Sequence, residues 1–528
     1  MHKKVDKFRN ASGPCEGSSI PNSEEPSGGC LEEVNQKIVE TKSFQDVFLN
    51  PKSVAVVGAT ERQGAWGSFI MGGLRSISYP GKIYPINRRA DRIFGISAYK
   101  DLKDVEGPVD LVVLAIPEES VEKTIVSCRQ KKVKGITIIT AGFGETSDHG
   151  QKTQEALADL ARSSGIRLLG PNVSGTFNLY AGFNASPIPS ENLLRTPIAA
   201  VCQGGYAFYD LLSSGRAKGL GVGKFIHTGN ECDLTVTDFL EYFGRDPEVK
   251  SVIMYIEAIR DGKRFMEVAR KISINKPIVV YKGGKSAGSA RAAHSHTGAL
   301  SGKKEIYQGL FQQTGIIVSP TMEFLLPVTH ALIERPPMRG PRIGIITVGG
   351  SWGVALSDAL EETGLTVPEL SPKLQERLRA AGMPPRASTR NPVDFGASGL
   401  FLSLDTPPAL AGEILSSREV DALVVHGIGR PGMHTADTPD EWRIFLDIEK
   451  QQIQGLNNLE KKTGIPVLIG SHYSQWESQA ICDLNKQGIR IYNNLHEISQ
   501  LLALMLDHWR KRMHSEIKNS KRKVNMKK

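Results

Sequence analysis

Residues 277–302 read PIVVYKGGKSAGSARAAHSHTGALSG. Pro277 to Tyr281 is a short, β-branched apolar run, the pattern of a buried strand. It stops in Gly283 and Gly284. A strand ending in glycines delivers a loop to the carboxyl edge of a parallel sheet, where open α/β folds bind their ligands. The loop carries Lys285, Arg291, His294 and His296 among Ala, Ser and Gly. Small residues around an imidazole allow close approach of a bulky anion. Taken alone, S-H-T-G reads equally well as a solvated surface loop. The neighbouring segments decide between the two.

Working outward, the same pattern recurs. Upstream, Val252 to Ile256 is an apolar run ending in Glu257, so Glu257 and the His296 loop follow consecutive strands at one sheet edge. A carboxylate beside an imidazole fixes its tautomer and raises its basicity. Such a strand-end carboxylate can also simply cap the next loop. Ile198 to Val201 leads into Cys202-Gln203-Gly204-Gly205-Tyr206 and a helix, whose free amides suit an anion. Further back, Ser53 to Val57 ends in Gly58-Ala59-Thr60 before an apolar helix, a phosphate-binding arrangement without a strict G-x-G-x-x-G spacing. The next strand ends in Asn87-Arg88-Arg89, where an NAD domain needs an acid. That turn favours a nucleotide with an extra phosphate, NADP or the 3′-phosphate of coenzyme A, or is an ordinary solvated basic turn. Later strands end in Ile116-Pro117, in Ala141-Gly142-Phe143-Gly144-Glu145 and in Gly170-Pro171-Asn172. Downstream, the proline-rich stretch Glu334 to Pro341 reads as a linker. A third α/β unit then begins, with Thr347-Val348-Gly349-Gly350 as another glycine turn at a helix start.

Bulk properties bound the rest. At 528 residues, several domains are expected. The net charge of +9 invites a nucleic-acid reading, but residues 510–528 alone hold nine Lys or Arg against Glu516. The remainder is close to neutral, so no nucleic-acid partner is expected. No apolar run is long enough to span a bilayer, and the first residues lack the apolar core of a secretory signal. The six cysteines have neither metal nor disulfide spacing. The expectation is a cytoplasmic protein with no metal site and no membrane association. Residues 1–42, rich in Ser, Gly, Pro and charge, are expected to be a disordered extension.

The segments SVAVVGAT, YPIN, AIP, AGFGE, GPN, GN..D, YIEAI, SHTGAL and NPVD occur in that order. Together they resemble the α subunit of NDP-forming acyl-CoA synthetases (acetate–CoA ligase, ADP-forming), related to the succinyl-CoA synthetase α subunit. The resemblance runs from about Ser43 to about Arg510. It implies an α/β chain: a Rossmann-like CoA-binding domain (43–190), a ligase domain with the phosphohistidine loop (191–336) and a second flavodoxin-like ligase domain (337–512). A basic disordered tail (513–528) is expected to follow.

The resemblance further implies an acid–thiol ligase. Its reaction is acyl-CoA + ADP + phosphate ⇌ carboxylic acid + CoA + ATP, through an acyl-phosphate and a phosphohistidine at His296 supported by Glu257. Gly58, Ala59, Thr60, Asn87, Arg88, Ile116 and Pro117 would line coenzyme A. Asn172, Gly204, Gly205, Tyr206, Gly349 and Gly350 would meet phosphate or acid. No ATP-grasp segment is evident, so ATP/ADP and Mg²⁺ are expected on a separate ATP-grasp β subunit, in an α₂β₂ assembly.

Several positions depart from the family pattern. Cys202-Gln203-Gly204-Gly205-Tyr206-Ala207-Phe208 stands where S-Q-S-G-A-L-G is common, and Val173 stands where G-P-N-C has cysteine. Thr347-Val348-Gly349-Gly350-Ser351-Trp352-Gly353 replaces N-A-G-G-P-G, and His294 replaces a small residue. Tyr206, Phe208 and Trp352 suggest an acid pocket reshaped for something other than acetate, or drift within a tolerant pocket. The altered turns leave open a non-catalytic CoA-binding or regulatory protein. The Arg88-Arg89 turn leaves open an NADP-dependent oxidoreductase, which gives His296 no role.

Overall fold

The computed structural model describes residues 43–286, 288–289, 303–396, 405–427 and 440–525. His294, His296 and residues 1–42 lie outside the described residues.

The first sheet is built from β1 (Ser53–Val57), β2 (Lys82–Ile86), β5 (Leu111–Leu114), β6 (Gly135–Ile138) and β7 (Arg167–Leu169). A two-stranded hairpin of β3 (Arg92–Ile93) and β4 (Ile96–Ser97) stands beside it. The sheet runs β2-β1-β5-β6-β7 and is parallel throughout. Helices α1 (Trp66–Ser76), α2 (Val121–Gln130) and α3 (Asp148–Ser163) connect its strands. β5 is apolar along its whole length and β1 is apolar after Ser53, because helices cover both faces of a parallel sheet. Strand order reverses between β1 and β5, which opens a crevice at their carboxyl ends.

The second sheet repeats this plan and extends it. Its parallel part is β14-β13-β12-β10-β11, from β10 (Ile198–Cys202), β11 (Lys224–His227), β12 (Ser251–Ile256), β13 (Ile278–Lys282) and β14 (Ile317–Val318). The strands β8 (Thr176–Asn178) and β9 (Phe183–Ala185) join antiparallel on the β11 edge. The chain therefore pairs with the second sheet before its first parallel strand is formed. Helices α4 (Tyr206–Ala217), α5 (Val236–Arg245) and α6 (Gly262–Ser273) connect the parallel strands. The third sheet is wholly parallel in the order β16-β15-β17-β18-β19. Its strands are β15 (Ile343–Thr347), β16 (Val393–Asp394), β17 (Ala422–His426), β18 (Val467–Gly470) and β19 (Ile491–Tyr492). This is the flavodoxin-like order that the sequence implies.

Apolar packing is continuous from each sheet to the next. Phe48 meets Phe239 of α5 edge-on, with ring centroids 6.3 Å apart. Phe208 and Phe225 of the second unit share a buried cluster with Ile343 and Leu360 of the third. Two ion pairs add direction. Arg167 bonds Asp233 through two nitrogens at 2.8 and 3.0 Å, and the buried Arg335 bonds Glu460 at 2.7 Å. A planar guanidinium against a carboxylate fixes orientation as well as distance.

One expectation is corrected. The tail expected to be disordered from residue 513 is helical through most of its length: the last helix runs Leu495–Asn525. Residues 513–525 contain no Pro or Gly and include helix-forming Lys518, Lys521, Arg522 and Lys523. Lys511–Asp507 at 2.7 Å and Arg512–Glu516 at 3.0 Å add helical i,i+4 pairs.

Candidate active site

At the first sheet the strand register sets the site. Val57 is level with Ile86 of β2 and Leu114 of β5, so the turns after all three strands emerge together. Gly58, Ala59, Thr60, Asn87, Arg88, Ile116 and Pro117 are thus brought to one crevice. Two glycines make the turn possible. Gly58 has φ +91, and a Cβ there would lie 2.2 Å from the Ala115 carbonyl oxygen. Gly67 in α1 lets the helix start approach the turn, since a Cβ there would lie 2.0 Å from the Gly58 oxygen. Asn87 shapes the basic turn: its side chain donates to the Ala59 carbonyl at 2.8 Å and accepts from the amides of Arg89 and Ala90. Arg88 is exposed and makes no ion pair among the described residues. A glycine-lined turn beside a helix start and a basic turn suits an anion.

The second site lies at the carboxyl edge of the second sheet. Gln203 follows β10, Thr228 to Glu231 follow β11, Glu257 follows β12, and Lys282 ends β13. Glu257 is buried at 3% exposure and accepts from the Tyr255 hydroxyl at 3.1 Å. Burial and the Glu257 charge both hold the Tyr255 phenol well above its usual range, so it stays a donor. Gln203 Oε1 accepts from the amides of Glu257 and Ala258 and fixes the start of the loop after β12. Lys282 is also buried. Its Nζ donates to the Glu257 carbonyl at 2.7 Å and to the Gly283 carbonyl. Burial pushes this ammonium down to about 8, with the Glu257 charge opposing. A carboxylate and a cation are therefore held under the start of the segment that carries His296, which itself lies outside the described residues.

The two edges meet. Asn230 donates to the Glu145 carboxylate at 2.5 Å and to Gln154 at 3.1 Å, both in the first unit. Asn172 reaches Asn230 at 3.4 Å, so it stands at this junction. His227 is buried between the units. Its Nδ1 accepts from the Ser174 amide at 2.7 Å, and its Nε2 therefore donates to the Gln203 carbonyl at 2.8 Å. Gly205 backs onto this ring, and Gly204 backs onto the Tyr255 ring, where a Cβ would lie 2.7 Å away. The glycine at 204, where the family commonly has serine, matches that close approach. Tyr206 opens α4.

Gly349 and Gly350 lie after β15 at the start of the helix Gly350–Glu361. Among the described residues no hydrogen bond or ion pair joins them to the Glu257 edge. The Trp352 ring lies tilted against His426 and His472, with centroids 4.9 and 5.3 Å away. Burial, then the nearby His472, pushes His426 down to about 4, so it is neutral.

Sequence reasoning missed Gln203, Glu231, Arg260 and Lys282 as members of the site. The signal was present: each is a polar residue within a few positions of the carboxyl end of a buried strand. No group of three or more His, Cys, Asp or Glu is placed to hold a metal among the described residues.

Two family models match the two edges. A CoA-binding domain covers residues 52–177, and a succinyl-CoA ligase like flavodoxin domain covers 195–332. Acetate–CoA ligase [ADP-forming] II subunit alpha of Pyrococcus furiosus is 38% identical over 353 residues, 67% of this chain and 76% of that one. The chain belongs to the ADP-forming acyl-CoA ligase family, as an α subunit. Its fold is that of the related succinyl-CoA synthetase α subunit. The Methanocaldococcus jannaschii acetate–CoA ligase [ADP-forming] is 36% identical over 345 residues, 65% of this chain but 48% of that longer one. In three dimensions the chain is similar to the dinucleotide-forming acetyl-coenzyme A synthetase 1 of Ca. Korarchaeum cryptofilum, solved with phosphate and ADP. The TM-score is 0.78 at 31% identity, covering 90% of this chain and 99% of that one. Membership supports acid–CoA ligase chemistry with coenzyme A as a substrate of the first unit. No described helix is long and apolar enough to cross a membrane.

Proposed function

We propose that this chain is the catalytic α subunit of an ADP-forming acid–CoA ligase working through a phosphohistidine at His296. The observation that carries the reading is Glu257: a buried carboxylate, donor-bonded by Tyr255, at the end of the strand preceding the one that leads to His296. In the direction of ATP formation, a phosphate oxygen attacks the thioester carbon and the C–S bond breaks, giving acyl-phosphate and CoA. A neutral imidazole nitrogen of His296 then attacks phosphorus, the P–O bond to the acyl group breaks, and the carboxylic acid leaves as its anion. Glu257 supports the imidazolium charge that develops. The phosphoryl group finally passes to ADP.

The first crevice, with Gly58, Ala59, Thr60, Asn87, Arg88, Ile116 and Pro117, is proposed to hold CoA. Asn172, the turn Gly204-Gly205-Tyr206 and the turn Gly349-Gly350 are proposed to meet phosphate or acid. We place nucleotide and Mg²⁺ on an ATP-grasp β subunit in an α₂β₂ assembly in the cytoplasm; that the Pyrococcus relative is itself an α subunit supports a partner. The domain division at about 190 and 336 belongs to the same reading.

The test is a panel of carboxylic acids with CoA, ATP and Mg²⁺, with and without the partner subunit. Acid-dependent ADP release and thioester formation are expected only with both chains. ADP release by this chain alone contradicts the division of labour. CoA binding without thioester formation on any acid, both subunits present, favours the non-catalytic alternative.

A further inference from the structure

Glu231 has no part in the mechanism above, yet its environment is unusual. It follows β11 with a left-handed backbone, φ +56, that a residue other than glycine rarely adopts. Its side chain is 2% exposed. Oε1 is fully engaged, accepting from the Thr228 hydroxyl and the Val236 amide, each at 2.9 Å. Oε2 is buried without a hydrogen-bond partner among the described residues. The nearest cation is Arg260, three residues beyond Glu257 in the loop after β12, with its Nε 4.0 Å from Oε2.

That distance separates this pair from the chain's structural ion pairs. Two residues further on, Asp233 holds Arg167 at 2.8 and 3.0 Å, and Glu460 holds Arg335 at 2.7 Å. Arg260 instead hangs from the Asn230 carbonyl by one nitrogen, and its side chain is 49% exposed. Its remaining N–H groups make no hydrogen bond to a described residue. It stands at the carboxyl edge that carries Glu257, beside Asn230, which bonds Glu145 of the CoA-binding unit.

We propose that Arg260 grips the phosphoryl anion at the transfer centre, and that Glu231 is the buried positioning carboxylate that tunes it. The proposal rests on the phosphoryl-transfer reading of this edge. A guanidinium with a free planar face suits a phosphate oxygen pair. Glu231 sits too far to neutralise it by direct bonding and close enough to couple to it through space. Burial pushes Glu231 up to about 7, against the opposing charge of Arg260, the nearby Gln203 side chain and the bonds to Oε1. The other groups around this pocket are the Tyr307 hydroxyl, which accepts from the Ile259 amide, Lys282 over the Tyr307 ring at 4.4 Å, and Glu257. Tyr307 is held above its usual range and Lys282 is held down to about 8, so Glu231 titrates before either.

The linkage has a definite sign. An anion on Arg260 screens the charge that favours ionised Glu231, so binding draws a proton onto Glu231. Conversely, as pH rises through about 7, Glu231 ionises, offsets Arg260 and weakens its hold on the anion.

Sulfate is the probe, because unlike phosphate it does not titrate between pH 5.5 and 7.5, a range that spans the value of Glu231 and stops below that of Lys282. Sulfate is titrated into the full chain by calorimetry, in buffers of differing ionisation enthalpy, with CoA titrated separately. Wild type should lose up to about tenfold in sulfate affinity across that range, the limit for coupling worth one pKa unit. It should also take up a fraction of a proton on binding. Glu231→Gln should bind with a flat pH profile and no proton uptake. Arg260→Gln should lose sulfate binding, and Arg260→Lys should retain part of it. All three should keep wild-type CoA affinity, which excludes misfolding as the cause. Wild-type pH dependence in Glu231→Gln, unchanged sulfate affinity in Arg260→Gln, or no sulfate binding by wild type overturns the proposal. Labelling of His296 is read separately: normal labelling with any of those results removes this inference alone, and no labelling removes the transfer reading itself.

Discussion

Gly67→Ala is the sharpest probe of the CoA crevice, because the same helix supplies its control. An added Cβ at Gly67 would lie 2.0 Å from the Gly58 oxygen, 2.8 Å from the Gly58 carbon and 3.2 Å from the Ala59 Cα. All three are backbone atoms, so no side chain can swing away. α1 and the Gly58 turn must part by at least about 1 Å to restore contact, a misfit of the kind that costs about 1–3 kcal/mol. Alanine returns about 1 kcal/mol of helix propensity. The net expectation is a loss of about 0–2 kcal/mol in stability. CoA affinity should fall by about tenfold or more, since ligand binding must restore the turn at about 1.4 kcal/mol per decade. Gly72 in α1 has nothing within 4 Å of its added Cβ. Gly72→Ala should therefore gain up to about 1 kcal/mol and bind CoA as wild type does. Denaturant unfolding and calorimetry with CoA read both variants. Wild-type CoA affinity in Gly67→Ala would refute the idea that close approach of helix and turn builds the site.

Three further outcomes follow from the second edge and its supports. Burial holds Lys282 down to about 8 against about 10.5 unfolded, so between those values the unfolded chain binds the extra proton and stability rises with pH; Lys282→Met should flatten that rise, removing about 1–2 kcal/mol of pH-dependent change in unfolding profiles from pH 7 to 10.5. Tyr255→Phe deletes the donor to Glu257, and should lower the rate of His296 labelling several-fold while leaving CoA affinity unchanged; an unaltered labelling rate contradicts a supporting role for that carboxylate. Arg335→Met leaves the buried Glu460 without its guanidinium and should cost about 3–5 kcal/mol in denaturant unfolding, detaching the third unit first.

Much of this architecture was legible because parallel strands buried on both faces write themselves as short, mainly apolar runs that do not alternate. SVAVV, IAAVC and IVVYK are such runs, and each is followed by the glycine or polar residue that turns the chain at the binding edge. The strands β8 and β9 were not legible. Each is three residues long, and their place in the sheet depends on β8 pairing far along the chain with β11, Phe177 opposite Phe225, rather than on local pattern. The extent of the last helix was hidden by charge. A basic run reads as a solvated tail, and only the i,i+4 pairs across residues 507–516 reveal a helix there. Glu257 was found because it ends an apolar run. Glu231 was not, because it lies four residues past its strand in a turn whose left-handed backbone no residue type announces. His227 carries no local signal either; its place between the Ser174 amide and the Gln203 carbonyl exists only after the chain has packed.

The central claim is that His296 carries a phosphoryl group. The direct measurement is to incubate the chain with its ATP-grasp partner, Mg²⁺ and γ-labelled ATP, then map the label by peptide analysis. The account predicts an acid-labile, base-stable label on the peptide containing His296, absent in His296→Ala and discharged by a carboxylic acid with CoA. Full labelling of His296→Ala, or thioester formation by that variant at the wild-type rate, would contradict it.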